Sequence, residues 1–147
     1  MIENLEKSLN ELDGSMDASD PNDSLVKKVE DIRKKRLKDL SVDDLALLLR
    51  QQISLGFVVP LSLSKLNENI LIETEDTGFR LLSTLLKVEK DFWSSNDELY
   101  NQTADLINSK MDEIINPKMD NPVELDSYIS DELPEILKLY QSFKDLI

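Results

Sequence analysis

Between Arg36 and Pro60 the chain reads RLKDLSVDDLALLLRQQISLGFVVP. This block constrains the fold more than any other. Ser41 is a good helix N-cap, and Asp44, three residues on, stands where a capping-box acid belongs. Leu40 and Leu45 flank that turn and can close over it as a hydrophobic staple. Leu45, Leu47, Leu48, Leu49, Ile53 and Leu55 then cover nearly the whole circumference of a helix. A helix apolar on most sides cannot lie on a surface, so a buried central helix is predicted over Ser41–Leu55. Gly56 supplies its expected stop, and Pro60 fits the first turn of the next helix.

The remaining apolar spacing is also helical. Ile2, Leu5, Leu9 and Leu12 predict a short amphipathic helix ended by Gly14. A polar, mobile loop is expected over residues 14–23. Asp23 or Ser24 can cap a second helix with Leu25, Val26, Val29, Ile32 and Leu37 on one face. The helix entering at Pro60 carries Leu61, Leu63 and Leu66. Thr77 can cap a fifth with Phe79, Leu82, Leu85 and Leu86 inward. Ser95 and Glu98 form the box S-x-x-E ahead of a sixth, whose buried face runs from Leu99 to Ile115. After the turn between Pro117 and Pro122, a last helix from about Asp131 tolerates Pro134 in its first turn. Leu133, Ile136, Leu137, Tyr140 and Phe143 form its inner stripe. The expectation is an all-α protein: one compact domain over residues 1–147, with about six to seven helices around the central one.

Several chemistries are excluded by residue types. The 147 residues contain no cysteine and no histidine. That removes disulfides, thiolate zinc sites, cysteine nucleophiles and the commonest general base. Three glycines, at 14, 56 and 78, make no phosphate loop. Paired carboxylates are plentiful, but Asp43-Asp44, Asp97-Glu98 and Asp131-Glu132 stand at expected helix starts, where negative charge suits the helix dipole. No catalytic residue, metal ligand or cofactor is assigned. A divalent-metal enzyme built on clustered carboxylates and a helical regulatory adaptor are kept as competing classes.

Charge points to a partner. The net charge is −13, and residues 91–147 carry thirteen acids against four bases. Nucleic acid binding needs a basic footprint, so a nucleic acid ligand is not expected. A basic protein is. The one basic cluster, Arg33-Lys34-Lys35-Arg36 with Lys38, lacks neighbouring aromatics for stacking. It is read as a solvated helix end, with neutralisation by the acidic termini as the second option. Phe92-Trp93, in an aromatic-poor chain, is read as a core anchor ahead of a binding hot spot. No run is long and apolar enough for a membrane span, and Met1-Ile2-Glu3 opens no signal sequence, so a cytoplasmic protein is expected.

From Leu37 to Trp93 the chain resembles the all-helical immunity proteins of bacterial contact-dependent growth inhibition (CDI) systems. The residues carrying the resemblance are Val42-Asp43-Asp44-Leu45, Gln52 with Gly56, Val59-Pro60-Leu61, Leu66 with Asn69, Gly78 before Leu81-Leu82, and Phe92-Trp93. Ile2-Glu3-Asn4-Leu5-Glu6 fits as well. The resemblance implies a non-enzymatic cytoplasmic inhibitor. It would bind the cognate C-terminal toxin domain of a large surface-exposed effector and protect the producing cell and its siblings. Many such toxins are nucleases with basic clefts, and the acidic C-terminal half suits one. Glu98, Asp105 and Asp112, spaced by seven, are expected to share an outward stripe of the sixth helix. Glu124, Asp126, Asp131 and Glu132 add charge after it. The acidic loop of Glu73, Glu75 and Asp76 is the next candidate for toxin contact.

Overall fold

In a computed structural model of the chain, residues 4–13, 24–76 and 78–146 are described. Ser41 caps the central helix as its position predicts. Its hydroxyl accepts from the Asp44 N–H, and the Asp44 carboxylate accepts from the Ser41 N–H, both at 3.0 Å. The helix so started, α3 (Val42–Arg50), has Leu45, Leu48 and Leu49 at most 1% exposed. It packs against α2 (Ser24–Arg33), α4 (Leu55–Glu68) and α5 (Leu81–Leu86). The buried central helix is therefore present, but it is shorter than expected.

Its end is made differently from the sequence reading. Gln52, not Gly56, takes the left-handed conformation, at φ 57°. The Ile53 N–H donates to the Leu48 carbonyl and the Gln52 N–H to the Leu49 carbonyl, which is a Schellman closure. Ser54 is left-handed too, at φ 51°. Tertiary contacts hold it there: Arg33 Nη1 donates to Ser54 Oγ at 2.7 Å, and the Ser54 hydroxyl donates to Asp13. The chain has thus already turned when it reaches Gly56, which lies in the first turn of α4. Pro60 consequently sits inside that helix and offers no N–H to the Gly56 carbonyl. Phe57-Val58-Val59 lies inside the same helix.

Other boundaries shift as well. The first helix, α1, spans only Leu9–Asp13. Ahead of it the chain runs beside residues 36–38, with Leu37 N–H donating to the Lys7 carbonyl at 2.8 Å and Lys38 N–H to the Leu5 carbonyl at 3.1 Å. Ile2, the loop expected at 14–23 and Thr77 lie outside the described residues. Leu37 is buried, but from a separate 3₁₀ turn (Leu37–Asp39) rather than from α2. Phe92 and Trp93 lie in a short helix, α6 (Lys90–Ser94). Ser95 ends α6 and makes no capping box; α7 (Asp97–Ser109) follows Asn96. The expected long sixth helix breaks at Lys110, and α8 (Met111–Ile115) continues as a separate piece that leaves Ile115 exposed.

Asn121 caps α9 (Pro122–Ser127), accepting from the N–H groups of Val123 and Glu124. A π-helical turn (Tyr128–Glu132) leads into α10 (Leu133–Lys144), which packs on α5 and leaves Leu137 partly exposed. Trp93 is fully buried, with the rings of Phe92, Phe143 and Tyr100 at 5.3, 5.0 and 6.5 Å. This aromatic cluster joins α6, α7 and α10, so the Phe-Trp pair is a core anchor. The fold is all-α. Among the described residues the only β-type pairings are the isolated bridges Ser8–Arg36 and Glu73–Arg80.

Candidate functional site

The basic cluster is not a free surface. Arg33 is 2% exposed and donates to Asn10, Asp13 and Ser54. Lys35 pairs with Asp44 at 2.9 Å, Arg36 with Asp39 and Glu6, and Lys38 with Glu6. The hydrogen bond from Lys38 holds the Glu6 carboxyl below its ordinary value. Lys34, Lys35, Arg36 and Lys38 are exposed, as a solvated helix end requires, while Arg33 is buried; Glu6 and Asp13 near the N-terminus, with Asp39 and Asp44, pair with all of these bases but Lys34.

The acids expected on the partner surface divide into groups. Glu98 and Asp105 are exposed on the outward side of α7, opposite Tyr100, Thr103 and Ile107. Glu98 rims a groove of about 900 Å³ between α4 and α7. Asp112 does not continue their stripe, because the break at Lys110 redirects it. It lines a different groove of about 860 Å³, together with Glu73, Glu113 and Glu124. Four carboxylates from three separate segments meet there over a floor that includes Ile70, Leu71 and Met119. In the sequence Glu113 is only half of the carboxylate pair Asp112-Glu113; its convergence with Glu73 and Glu124 is purely tertiary, and it pairs with Lys110 at 3.6 Å. Asp126 and Asp131 are exposed nearby in sequence, on α9 and the π turn.

Glu73 and Glu132 have an internal partner that sequence reasoning missed. Arg80 is 7% exposed, pairs with Glu73 at 2.9 Å and grips both oxygens of Glu132 at 3.0 and 3.3 Å. Its Nη1 also donates to the Leu71 carbonyl, and its guanidinium lies 5.5 Å from the Tyr128 ring centroid. Burial works against the charge on Arg80, but the Glu132 bond and the two carboxylates outweigh it, and its pKa is raised. Burial likewise pushes the Tyr128 phenol up to about 12; its hydroxyl donates to the Ile114 carbonyl at 2.6 Å. One guanidinium therefore ties the loop before α5 to the π turn and, through Tyr128, to α8.

Glu75 and Asp76 are exposed, yet their backbone is anchored. Their N–H groups donate to the two oxygens of Asp43, at 2.7 and 3.0 Å. Burial opposes the Asp43 charge, and these backbone bonds overcome it, so its pKa is lowered. The Thr74 N–H donates to the Phe79 carbonyl, and the Phe79 N–H to Thr74 Oγ1. That pairing turns Arg80 inward and leaves Phe79, expected in the core, 55% exposed. A Phe-Arg dipeptide after glycine, read with a period of two, is the only sequence signal for this arrangement.

Asp105, Asp112, Glu124, Asp126 and Asp131 make no ion pair among the described residues. No group of three or more described His, Cys, Asp or Glu residues is placed to hold a metal ion. No described helix is long and apolar enough to cross a membrane. What the arrangement offers is a set of exposed negative charges on a fixed helical frame.

A family model described as CDI immunity proteins matches residues 11–103. No curated protein and no solved structure matches the chain. The family match covers more than half of the sequence, including the central helix, Arg80 and the Phe-Trp pair, and stops before Asp105. The chain belongs to the family of CDI immunity proteins.

Proposed function

We propose that this protein acts in the cytoplasm as a binding inhibitor, without catalysis of its own, of the cognate C-terminal toxin domain of a CDI effector. The toxin is a nuclease with a basic cleft. The observation that carries this reading is the set of unpaired, exposed acids after residue 103, on a chain whose earlier part matches the immunity family. Toxin contact is assigned to Glu98, Asp105, Asp112, Glu124, Asp126 and Asp131, with Glu73, Glu75, Asp76 and Glu132 beside them. An exposed acid gains little from its own fold. Facing a basic cleft, it steers association and suppresses wrong partners.

The test is a triple reversal, Glu98→Lys, Asp105→Lys and Asp112→Lys, titrated against the toxin domain encoded beside this chain at low and high salt. Slower association at low salt is expected, with the difference shrinking as salt screens it. An unchanged association rate would remove these residues from the interface.

A further inference from the structure

We infer that Phe79 is the anchor of the partner-facing surface, and that its ring enters an apolar socket on a basic toxin domain; this rests on the function proposed above. Among the described residues, Phe79 is the one aromatic among the exposed large apolar side chains. It belongs neither to the buried core nor to the partly buried side chains packed against it. The Arg50 guanidinium lies 6.0 Å from its ring centroid, and Arg50 makes no ion pair among the described residues.

The backbone beneath the ring is fixed. Thr74 pairs with Phe79 in both directions, the Gly78 N–H donates to the Thr74 carbonyl, and Gly78 takes φ 69°, which strains any other residue. Arg80 next to it is buried among Glu73, Glu132 and Leu71. A ring presented on a backbone already ordered costs little further entropy when it is buried by a partner. Aromatic anchors and arginines are also the residue types that dominate interface energetics.

The surroundings select the partner. Phe79 and Arg50 line a depression of about 460 Å³ floored by Leu49, Ser83 and Thr84. Arg80 lines both this depression and the groove that holds Glu73, Asp112, Glu113 and Glu124. The depression carries Arg50, Arg80 and Lys87 against Glu132 and Glu135, and across Arg80 it adjoins the groove where the four carboxylates meet. Glu73 is held by Arg80 and Glu113 by Lys110, which leaves Asp112 and Glu124 without an ion pair among the described residues. A partner that also covers that groove must bring basic groups to these two, because a neutral or acidic surface would bury or repel them. The ring sets how long the complex lasts, and the groove sets how fast it forms.

The probe is the catalytically inactivated toxin domain encoded beside this chain. With Phe79→Ala, dissociation should be about thirtyfold faster or more, with association changed little. With Asp112→Lys and Glu124→Lys, association should slow at low salt. Phe79→Leu should recover part of the loss. Hydrogen exchange on the wild-type complex gives a measurement that needs no variant: the amides of residues 78–80 should be slowed by the partner. If the wild-type chain binds but Phe79→Ala dissociates at the wild-type rate, or residues 78–80 gain no protection, the anchor is overturned. If the wild-type chain does not bind this domain, the proposed function itself fails.

Discussion

Asp44 and Asp112 both stand in the first turn of a helix, and they behave in opposite ways. Asp44 is nearly buried; it accepts from the Ser41 N–H and pairs with Lys35. Asp112 is exposed and makes no ion pair among the described residues. The contrast extends to their regions. Before residue 81, several acids serve the fold: Glu6 takes Arg36 and Lys38, Asp13 takes Arg33, and Asp43 ties down the loop at Glu75 and Asp76. After residue 103 most acids point to water. A carboxylate that has already lost its water to an internal partner cannot steer an external one, whereas a hydrated carboxylate can. The same residue type thus acts as scaffold in one region and, in the function proposed above, as recognition surface in the other.

Four variants test this contrast, in falling order of effect on stability. Leu48→Ala empties a fully buried position on the central helix and should cost about 2–5 kcal/mol in denaturant unfolding. A loss below about 1 kcal/mol would mean that α3 is not the structural centre. Arg80→Met keeps much of the volume but leaves Glu73 and Glu132 facing each other. Because both glutamates retain solvent contact, the expected loss is about 2 kcal/mol, less than for a wholly buried pair. An unchanged midpoint would mean that Arg80 does not join the two regions.

Asp43→Asn should cost about 1 kcal/mol near neutral pH, by weakening two charge-assisted bonds to the loop. The pH dependence gives a sharper sign. The folded carboxyl of Asp43 titrates below its ordinary 3.8, so its contribution is present above that value and is lost as the pH falls through the folded pKa. Wild type and Asp43→Asn should therefore converge in stability as the pH is lowered past 3.8. A constant gap across the acid range would contradict this. Last, the triple reversal at Glu98, Asp105 and Asp112 should cost no more than about 1 kcal/mol, because Glu98 and Asp112 stand in first turns that favour negative charge but all three are exposed. A larger loss would show that these acids belong with Asp44 after all.

The parts of the fold legible in the sequence are those fixed by near neighbours. The Ser41–Asp44 box and the apolar wrap of Leu45 to Leu49 involve residues within two turns, and both are present in the structure. The turn after α3 was not legible, because Ser54 is held left-handed by Arg33, twenty-one residues away. Gly56 looked like the natural stop only in the absence of that bond. Phe79 was misread for a related reason: with helical periodicity it faces the core, but its pairing with Thr74 imposes a period of two. On the acidic surface, exposure was legible and neighbourhood was not. The spacing of seven put Asp112 with Glu98, and the break at Lys110 puts it with Glu73 and Glu124 instead.

Arg80 carries a consequence for anyone who would exchange recognition segments between members of this family. The guanidinium belongs to the part of the chain that the family model covers, while Glu132, which takes its Nε and Nη2, arrives from beyond residue 103. A transplanted segment inherits a nearly enclosed cation. Unless the donor sequence brings a carboxylate to the same place, the graft leaves that cation short of its counter-charge, and the chimera would fail at the seam although each half is sound by itself. The practical junction therefore lies wherever the replacement can still present one acid to Arg80.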